Sequence, residues 1–335
     1  MATVAATRPT RPTKEDSGGD FSWSRLLPSL GPVAALIVAC AFFTTQSDRF
    51  LTSANLSLVI QQVAVVGTVS VGQTILIISG GIDLSAGAVT TLGTIVMAKL
   101  AGEQAVNPYV AIAAGIAACC AFGLFNGLLV TRLRLPPFIV TLGTLNIAFA
   151  ITHIYSNEAT ISNLPPEMTF FGNTFSVGGT LVSTGSVLMV AVFAVTWFVL
   201  KFTPGGRHAY AVGNNAEAAR LTGIRVQRLL LCVYTLAGLT YGIAALLLVG
   251  RTGVGDPNAG QTTNLESITA VVLGGTSLFG GRGSVLGTLV GALIVGIIRN
   301  GLLLMGLVPI AQVLITGVLV ILAVAVDQLS RRARR

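Results

Sequence analysis

The chain has 335 residues, of which 53% are hydrophobic, 10% are charged and 39 are glycine. A soluble domain is about 25% charged, so this composition excludes an ordinary water-soluble globular protein. The apolar residues form runs of about 20, which is the length that a helix needs to cross a bilayer. The sequence therefore predicts an all-α, polytopic membrane helical bundle.

The cysteine and histidine content gives no indication of a metal site or a redox site. All four cysteines lie inside apolar runs, and the adjacent pair Cys119 and Cys120 lacks the C-x-x-C spacing of such sites. The two histidines, His153 and His208, do not cluster with them. We expect no metal and no cofactor in this chain. The net charge of +8 would suit a nucleic-acid partner, but the positions of the cations, described below, argue against one.

The chain begins with a polar segment rich in proline and threonine, residues 1–26. The apolar run that follows lacks a small-residue cleavage site, so we predict a retained, disordered cytoplasmic tail rather than a signal peptide. Residues 27–328 are then predicted to form one transmembrane domain, and residues 329–335 a basic cytoplasmic tail. Ten apolar runs predict about ten transmembrane helices: 28–46, 56–79, 84–101, 108–131, 137–156, 184–202, 229–250, 265–281, 284–304 and 308–327.

The distribution of lysine and arginine predicts the orientation of these spans. Ten spans place both termini on one side of the membrane, and all but four of the 20 cations fall on that side. The four on the other side are Arg49, Lys99, Arg251 and Arg299. Because cytoplasmic segments carry the excess of such residues, both termini are predicted to be cytoplasmic. In this topology the loop 157–183 is extracytoplasmic and the loop 203–228 is cytoplasmic.

Two glycine-rich segments interrupt the predicted helices. In the first, Gly80 and Gly81 end one helix and Asp83 is predicted to cap the next, although an ionisable group at membrane depth also suggests a gating role. In the second, Gly274 and Gly275 align with the first pair when the chain is shifted by 194 positions. Paired broken helices indicate a transport site. A repeated Asn-Gly-Leu-Leu sequence has a different shift, 174, so the sequence leaves an internal duplication open.

Glycines also repeat every four residues inside several predicted helices. Gly238 and Gly242 form one such pair, and Gly123 and Gly127 form another. This spacing brings helix backbones together, so we predict packing faces at these positions rather than sites.

Several polar side chains within the predicted spans are candidates for an uncharged pathway or its gate. They are Asp83, Asn126, Thr141, Thr144, Asn146, Asn264, Glu266 and Gln312. For each residue alone, a helix–helix hydrogen bond or a helix cap is the alternative role. These residues do not form a series of acidic groups through the membrane, so the sequence gives no support for transport coupled to protons or sodium.

The cytoplasmic loop contains a segment with the signals of a complete short helix. Its N-cap, first turn, last turn and left-handed stop are supplied by Asn215, Glu217, Arg220 and Gly223. Such a helix is either a simple connector or a docking element whose displacement would tilt the adjoining spans. In the second case the small residues Ala218 and Ala219 would let the helix enter a groove of a partner.

The sequence contains neither a nucleotide-binding loop nor a set of catalytic residues. A P-loop requires a Gly-Lys pair, whereas Lys14, Lys99 and Lys201 follow threonine, alanine and leucine. Any ATP and Mg²⁺ would therefore bind to another chain. An intramembrane enzyme would need converging acid, base or metal-ligating groups, and we predict that the chain is not an enzyme.

Four stretches of the sequence resemble one known family. They are GGIDLSAG, FNGLLVTRLRLPPFIVTLGTLNIA, YAVGNNAEAARLTGI and VVLGGTSLFGGRGSVLGTLVGALIVGIIRNGLLLMG. From about residue 30 to residue 328, the chain is similar to the permease subunits of bacterial carbohydrate ABC importers of the ribose, xylose and fructose type. The E-A-A-x-x-x-G start of the importers' coupling loop is matched by Glu217, Ala218, Ala219 and Gly223, while the usual downstream I-x-L-P element is absent.

This resemblance implies a set of partners and a mechanism. Two permease subunits, expected to be a homodimer, would work with cytoplasmic ATP-binding subunits and a periplasmic sugar-binding protein in the lipids of the bacterial inner membrane. A monosaccharide would enter by alternating access, driven by ATP hydrolysis on the partner. The alternatives are a branched-chain amino-acid or other small-solute permease of the same superfamily, and a self-sufficient secondary transporter. The particular sugar is not predicted.

Overall fold

The computed structural model of this chain describes residues 27–332. The predicted N-terminal tail, residues 1–26, and the last three residues of the predicted C-terminal tail lie outside the described residues. The final helix continues to Arg332, so residues 329–332 extend that helix.

Thirteen α-helices and one small hairpin make up most of the regular structure of residues 27–332. A π-helical turn, Lys99–Glu103, continues the third helix, and a 3-10 turn, Phe170–Gly172, follows the sixth. Helices α1 to α7 are Leu27–Gln46, Ser53–Ile78, Ala86–Ala98, Pro108–Thr131, Pro137–Ser156, Pro166–Thr169 and Thr184–Phe202. Helices α8 to α13 are Pro204–Asn214, Ala216–Leu221, Val226–Thr252, Thr263–Leu273, Val285–Leu304 and Pro309–Arg332. The strands β1 and β2 are Thr174–Val177 and Thr180–Ser183, and they pair antiparallel.

Helices occur at all ten predicted spans, but they differ in length. Six of the described helices are long and apolar enough to cross a membrane: α2, α4, α5, α7, α10 and α12. Helix α3 has 13 residues and α11 has 11; at about 1.5 Å per residue, α11 extends roughly half of a hydrocarbon core. The predicted span 265–281 is helical only in its first part, because α11 ends at Leu273 and residues 274–284, which include the predicted break at Gly274 and Gly275, form an irregular segment.

The two long loops contain more regular structure than their sequences predict. Between α5 and α7 the chain forms α6, one tighter helical turn and the β1–β2 hairpin. Between α7 and α10 it forms two helices, α8 and α9, instead of the single predicted helix. Thr203 explains the additional helix, because its side chain accepts a hydrogen bond from the Gly206 N–H at 3.2 Å and Pro204 follows in the first turn.

Helix α10 packs against α2, α3 and α4 and contributes many of the buried residues of the bundle. Its predicted glycine face is confirmed: a Cβ atom added at Gly238 would lie 3.0 Å from the Cα of Cys120 and 2.5 Å from the carbonyl oxygen of Cys119. Only a residue without a side chain permits this approach of two helix backbones. The same helix contacts the first glycine-rich segment, where the Tyr234 hydroxyl donates to the Ile82 carbonyl at 3.4 Å.

Candidate functional site

The first break, residues 79–85, joins α2 to α3 through a left-handed turn. Gly80 has a φ of +82°, and Gly81 donates its N–H to the carbonyl of Leu76 at 2.8 Å. This geometry satisfies a terminal carbonyl of α2 and favours a residue without Cβ at Gly80. Helix α2 therefore ends next to buried residues without leaving that carbonyl unpaired.

Asp83 lies within the first break and is only 1% exposed. One oxygen of its carboxylate accepts hydrogen bonds from the backbone N–H of Ser85 at 2.8 Å and from the Ser85 hydroxyl at 2.6 Å. The predicted cap is wrong, because Ser85 occupies the position before α3 and Asp83 lies two residues further upstream. Asp83 instead fixes the turn that leads into α3.

Asp83 belongs to a buried group of polar residues, which we call the central cluster: Gln73, Asp83, Ser85, Asn126 and Tyr241. Asn126 donates to the Ser85 hydroxyl at 3.0 Å, and Gln73 donates to the backbone carbonyl of Asp83. The Tyr241 hydroxyl lies beside the Asp83 carboxylate. Among the described residues, the amide oxygens of Gln73 and Asn126 have no hydrogen-bond partner. The central cluster thus retains unused hydrogen-bonding capacity at a buried position.

The structure brings the candidates Asp83 and Asn126 together, but it places the three candidates of α5 elsewhere. Thr141 and Thr144 are buried and donate to backbone carbonyls of their own helix at 2.9 and 3.3 Å. Asn146 is exposed and does the same at 3.1 Å. These bonds are local, so they assemble no joint site on α5.

A cavity of about 210 Å³ lies between α3, α5 and the segment that precedes α11. Its lining includes the polar residues Thr91, Thr152, Gln261 and Asn264 and the aromatic residue Phe149. Asn264 also donates to the carbonyl of Leu84 at 3.2 Å. The candidate Asn264 therefore connects this cavity to the first break. Amide groups beside an aromatic ring suit a small, neutral, polar solute.

The candidates Glu266 and Gln312 have structural partners away from this cavity. Glu266 is buried in the first turn of α11, where Arg299 of α12 donates to its carboxylate at 2.8 Å. Thr262 donates to the same oxygen at 2.9 Å. Gln312 donates to the carbonyl of Leu307 at 3.1 Å. Glu266 thus links α11 to α12, and Gln312 closes the turn that begins α13.

The second break, residues 274–284, begins with the same turn as the first break. Gly275 has a φ of +84°, and Thr276 donates its N–H to the carbonyl of Val271 at 3.1 Å. The equivalent bond in the first break lies 195 positions earlier, one more than the shift of the sequence alignment. The two breaks then follow different paths of different length, so the structural similarity is limited to the helix ends.

Helix α9 has the caps that its sequence predicts. The side-chain oxygen of Asn215 accepts a hydrogen bond from the Ala218 N–H at 2.9 Å. Gly223 has a φ of +90°, and Ile224 donates its N–H to the carbonyl of Ala219 at 3.1 Å. Both ends of α9 are therefore fixed by local hydrogen bonds.

The exposed surface of α9, which we call the α9 surface, combines one ion pair with one large apolar side chain. Arg220 donates to the Glu217 carboxylate at 2.6 and 3.1 Å, and this hydrogen bond and the charge of Arg220 lower the pKa of Glu217. Leu221 is 77% exposed, and Ala218 is also exposed. The prediction that Ala219 faces a partner is wrong, because this residue is 5% exposed and is buried against its own chain.

Three features of these sites were missed from the sequence. The first is helix α8, although the Thr203–Pro204 pair at its start is a recognisable helix-start signal. Leu221 gave no such signal, since a single leucine on a short helix is common at protein surfaces. Tyr241 joins the central cluster only because α10 packs against α2 and places its hydroxyl beside Asp83, which no local pattern reveals.

Comparisons with known proteins relate the whole transmembrane region to transport proteins. The family described as "Branched-chain amino acid transport system / permease component" matches residues 55–324. The chain is 43% identical to the fructose import permease of Rhizobium meliloti over 91% of this chain and 86% of that protein. It is 38% identical to the ribose import permease of Escherichia coli (strain K12), over 94% and 98% of the two chains. It is 34% identical to the galactose/methyl galactoside import permease of the same strain, over 89% and 94%.

Proposed function

The chain belongs to the family of permease components that matches it over residues 55–324, and on that premise we propose that it is the membrane subunit of an ATP-driven monosaccharide importer. Permease components are transport subunits and not enzymes, and ATP hydrolysis takes place on a separate subunit. The chain is a membrane protein of the bacterial inner membrane, as its apolar helices and its relatives indicate. The ten spans and the cytoplasmic location of both termini are part of the proposal.

The observation that best supports this mechanism is the α9 surface. Helix α9 is capped at both ends, and it lies between α8 and α10 with only short connections. A displacement of α9 therefore reaches the long helices α7 and α10 without passing through a flexible linker. In this proposal Leu221, Ala218 and the Glu217–Arg220 pair contact the ATP-binding subunit. Ala219 anchors α9 to its own chain, and Gly223 supplies the left-handed turn that ends it.

The cavity and the central cluster are assigned to the solute and to the gate. The amide groups of Asn264 and Gln261 would supply hydrogen bonds to the hydroxyl groups of a sugar, while Phe149 offers an apolar ring face. Thr91 and Thr152 are buried and donate to carbonyls of their own helices, so they would shape the cavity wall. The central cluster lies at the turn between α2 and α3, so Asp83 and Asn126 would act on the position of α3 and not on the sugar. Thr141, Thr144, Asn146, Glu266 and Gln312 are assigned packing roles, because their observed bonds hold helices or turns.

The named relatives support a sugar as the solute more strongly than an amino acid. The relatives described above carry the names of fructose, ribose and galactose importers, whereas the family description names branched-chain amino acids. A free amino acid carries a carboxylate that calls for a cationic partner. The described residues that line the cavity include no lysine or arginine. This neutral lining favours a monosaccharide.

The partners follow from the import system to which such permeases belong. ATP-binding subunits would supply the energy, with ATP and Mg²⁺ bound to them, and a periplasmic binding protein would deliver the sugar. A second copy of this chain would complete the pathway across the membrane. The chain itself would hold no cofactor.

Uptake into sealed vesicles tests the proposal. The chain is reconstituted with and without its ATP-binding subunit, and uptake of labelled fructose, ribose and galactose is measured with the cognate binding protein present. We expect uptake of at least one sugar only when the ATP-binding subunit and ATP are both present. Uptake driven by an ion gradient without that subunit would establish a secondary transporter instead. ATP-driven uptake of leucine but of no sugar would establish the amino-acid alternative.

A further inference from the structure

The last residues of α8 lie between the two breaks and contact both of them. Gly281 of the second break donates its N–H to the carbonyl of Ile78, the last residue of α2, at 2.9 Å. Gly213 of α8 lies directly against this bond, since an added Cβ atom would overlap the Ile78 carbonyl oxygen and would lie 2.7 Å from the Gly281 nitrogen. The end of α8 therefore lies against the second break and against the end of α2, where the first break begins.

Two further glycines complete this contact, and we call Gly80, Gly213, Gly280 and Gly281 the glycine junction. A Cβ atom added at Gly280 would lie 2.7 Å from the Gly213 carbonyl oxygen and 3.1 Å from the Cα of Gly80. One added at Gly281 would lie 2.8 Å from the Cα of Asn214. Gly80, Gly280 and Gly281 also have positive φ angles of 82°, 82° and 71°. Both space and backbone conformation thus select glycine here.

Direct contacts between backbone atoms transmit a displacement almost completely. Side chains can change rotamer and absorb a shift, whereas backbone atoms in van der Waals contact cannot. Asn214 is followed directly by Asn215, the cap of α9, so no flexible segment separates the α9 surface from the glycine junction. A second tie lies beside it, where the Tyr210 hydroxyl of α8 donates to the Gly283 carbonyl at 3.0 Å.

We propose that the glycine junction passes the movement of α9 to the first and second breaks together, so that both broken helices change position in one step. This inference rests on the proposed function, because it requires that a partner moves α9. From the first break the movement reaches the cavity through the bond between Asn264 and the Leu84 carbonyl. Gly213 is then a positioning residue for transport, and it contacts neither the sugar nor the ATP-binding subunit.

The test separates coupling from assembly, and it uses the complete importer in vesicles. Gly213→Ala adds one methyl group inside the junction. The matched control is Gly205→Ala in the same helix, where the nearest atom to an added Cβ would be the Thr203 hydroxyl at an ordinary 3.7 Å. For each variant we would measure the amount of inserted protein, the ATP-binding subunit that copurifies with it, ATP hydrolysis and sugar uptake.

We expect Gly213→Ala to retain the ATP-binding subunit within about twofold of the unmodified chain, while sugar transported per ATP hydrolysed falls at least tenfold. Gly205→Ala should change neither quantity more than twofold. Equal transport per ATP in Gly213→Ala and Gly205→Ala would overturn the proposal. If Gly213→Ala fails to insert, Tyr210→Phe decides, because it removes the bond to Gly283 without adding volume. A fall of at least threefold in transport per ATP supports the junction, and an unchanged ratio overturns it.

Failure of the proposed function gives a different result. The unmodified chain would then take up no sugar. The junction is tested independently of any solute by a cysteine placed at the exposed position of Arg282 in the second break, with the native cysteines replaced. ATP should alter the labelling rate of this cysteine when the glycine junction is intact and also in the Gly205→Ala variant, but not in the Gly213→Ala variant. An ATP-dependent change that survives in Gly213→Ala overturns the junction, whatever solute is carried.

Discussion

A buried carboxylate without a cationic partner is costly, and Asp83 shows how this chain reduces that cost. An aspartate at the centre of a membrane helix costs about 2.5–3.5 kcal/mol on insertion scales. Asp83 lies in a break instead of inside a helix, and two donors of Ser85 are directed at one of its oxygens. The role of this oxygen is geometric, since it holds the turn that starts α3.

Substitutions of Asp83 distinguish its role as a hydrogen-bond acceptor from a role of its negative charge. Asp83→Asn keeps one oxygen that can accept both Ser85 hydrogen bonds, so inserted protein and sugar uptake should stay within about twofold of the unmodified chain. Asp83→Ala removes the acceptor, and we expect at least a fivefold loss of inserted protein. Western blotting of membranes and uptake assays give both quantities. An Asp83→Asn protein that inserts normally but shows almost no uptake would mean that the charge itself is used.

For single residues, the sequence predicts those features, such as helix caps, that depend only on neighbours within four positions along the chain. The caps of α9 at Asn215 and Gly223 are local, and the structure has both. The cap assigned to Asp83 failed because Ser85 takes that position two residues later. The exposure of Ala219 also failed, because it depends on how α9 packs against the rest of the chain, which spacing along one helix does not contain.

At the scale of elements, short helices and breaks are the features that the hydropathy pattern conceals. The run 265–281 is mostly apolar, with a few serine and threonine residues and Glu266, yet it holds the greater part of the 11-residue helix α11 followed by part of an irregular segment. Glycine pairs signalled where helices end, since Gly80 and Gly275 adopt the same left-handed turn. The path after each turn was not predictable, because the glycine junction is formed by segments about 70 to 200 residues apart.

The start of α2 and the end of α12 are joined by a reciprocal pair of amide hydrogen bonds. Asn55 donates to Asn300 at 2.9 Å and Asn300 donates back at 2.8 Å, with both residues buried. Such pairs in membrane proteins contribute about 0.6 kcal/mol on average in double-mutant cycles. The bonds therefore fix the register of α2 against α12, which both border a break.

A double-mutant cycle on this pair measures its contribution. We expect Asn55→Ala and Asn300→Ala each to lower the free energy of unfolding of the purified protein by about 1–3 kcal/mol, because each removes both hydrogen bonds of the pair at a buried position. The double variant should be less destabilised than the sum of the two. Asn146→Ala is the matched control, since that exposed amide bonds only to its own helix. Fully additive losses would show that the two amides are not coupled.

At the scale of the whole molecule, the distribution of cations predicts which side of the membrane each loop occupies. Single cysteines at Asn215 and at Gly178, on a background without native cysteines, test this with a membrane-impermeant thiol reagent. In intact spheroplasts we expect labelling at 178, in the β1–β2 turn, and none at 215 until the membrane is opened. Labelling at 215 in intact spheroplasts would invert the proposed topology and exclude α9 as the contact for a cytoplasmic subunit.

The proposed mechanism requires that energy enters this chain through the α9 surface, and Leu221 provides the most direct test. Burial of one leucine at an interface is worth about 1.5–3 kcal/mol, so Leu221→Ser should weaken association with the ATP-binding subunit about tenfold or more. The matched control is Leu133→Ser, which changes a leucine that is 64% exposed in the connection between α4 and α5, on the same predicted side. The measurement is the dissociation constant of the ATP-binding subunit for each purified variant, with ATP-driven uptake recorded in parallel. We expect Leu221→Ser to lose both association and uptake and Leu133→Ser to keep both. Loss in Leu133→Ser with normal association in Leu221→Ser would contradict the proposed mechanism and would place the contact between α4 and α5.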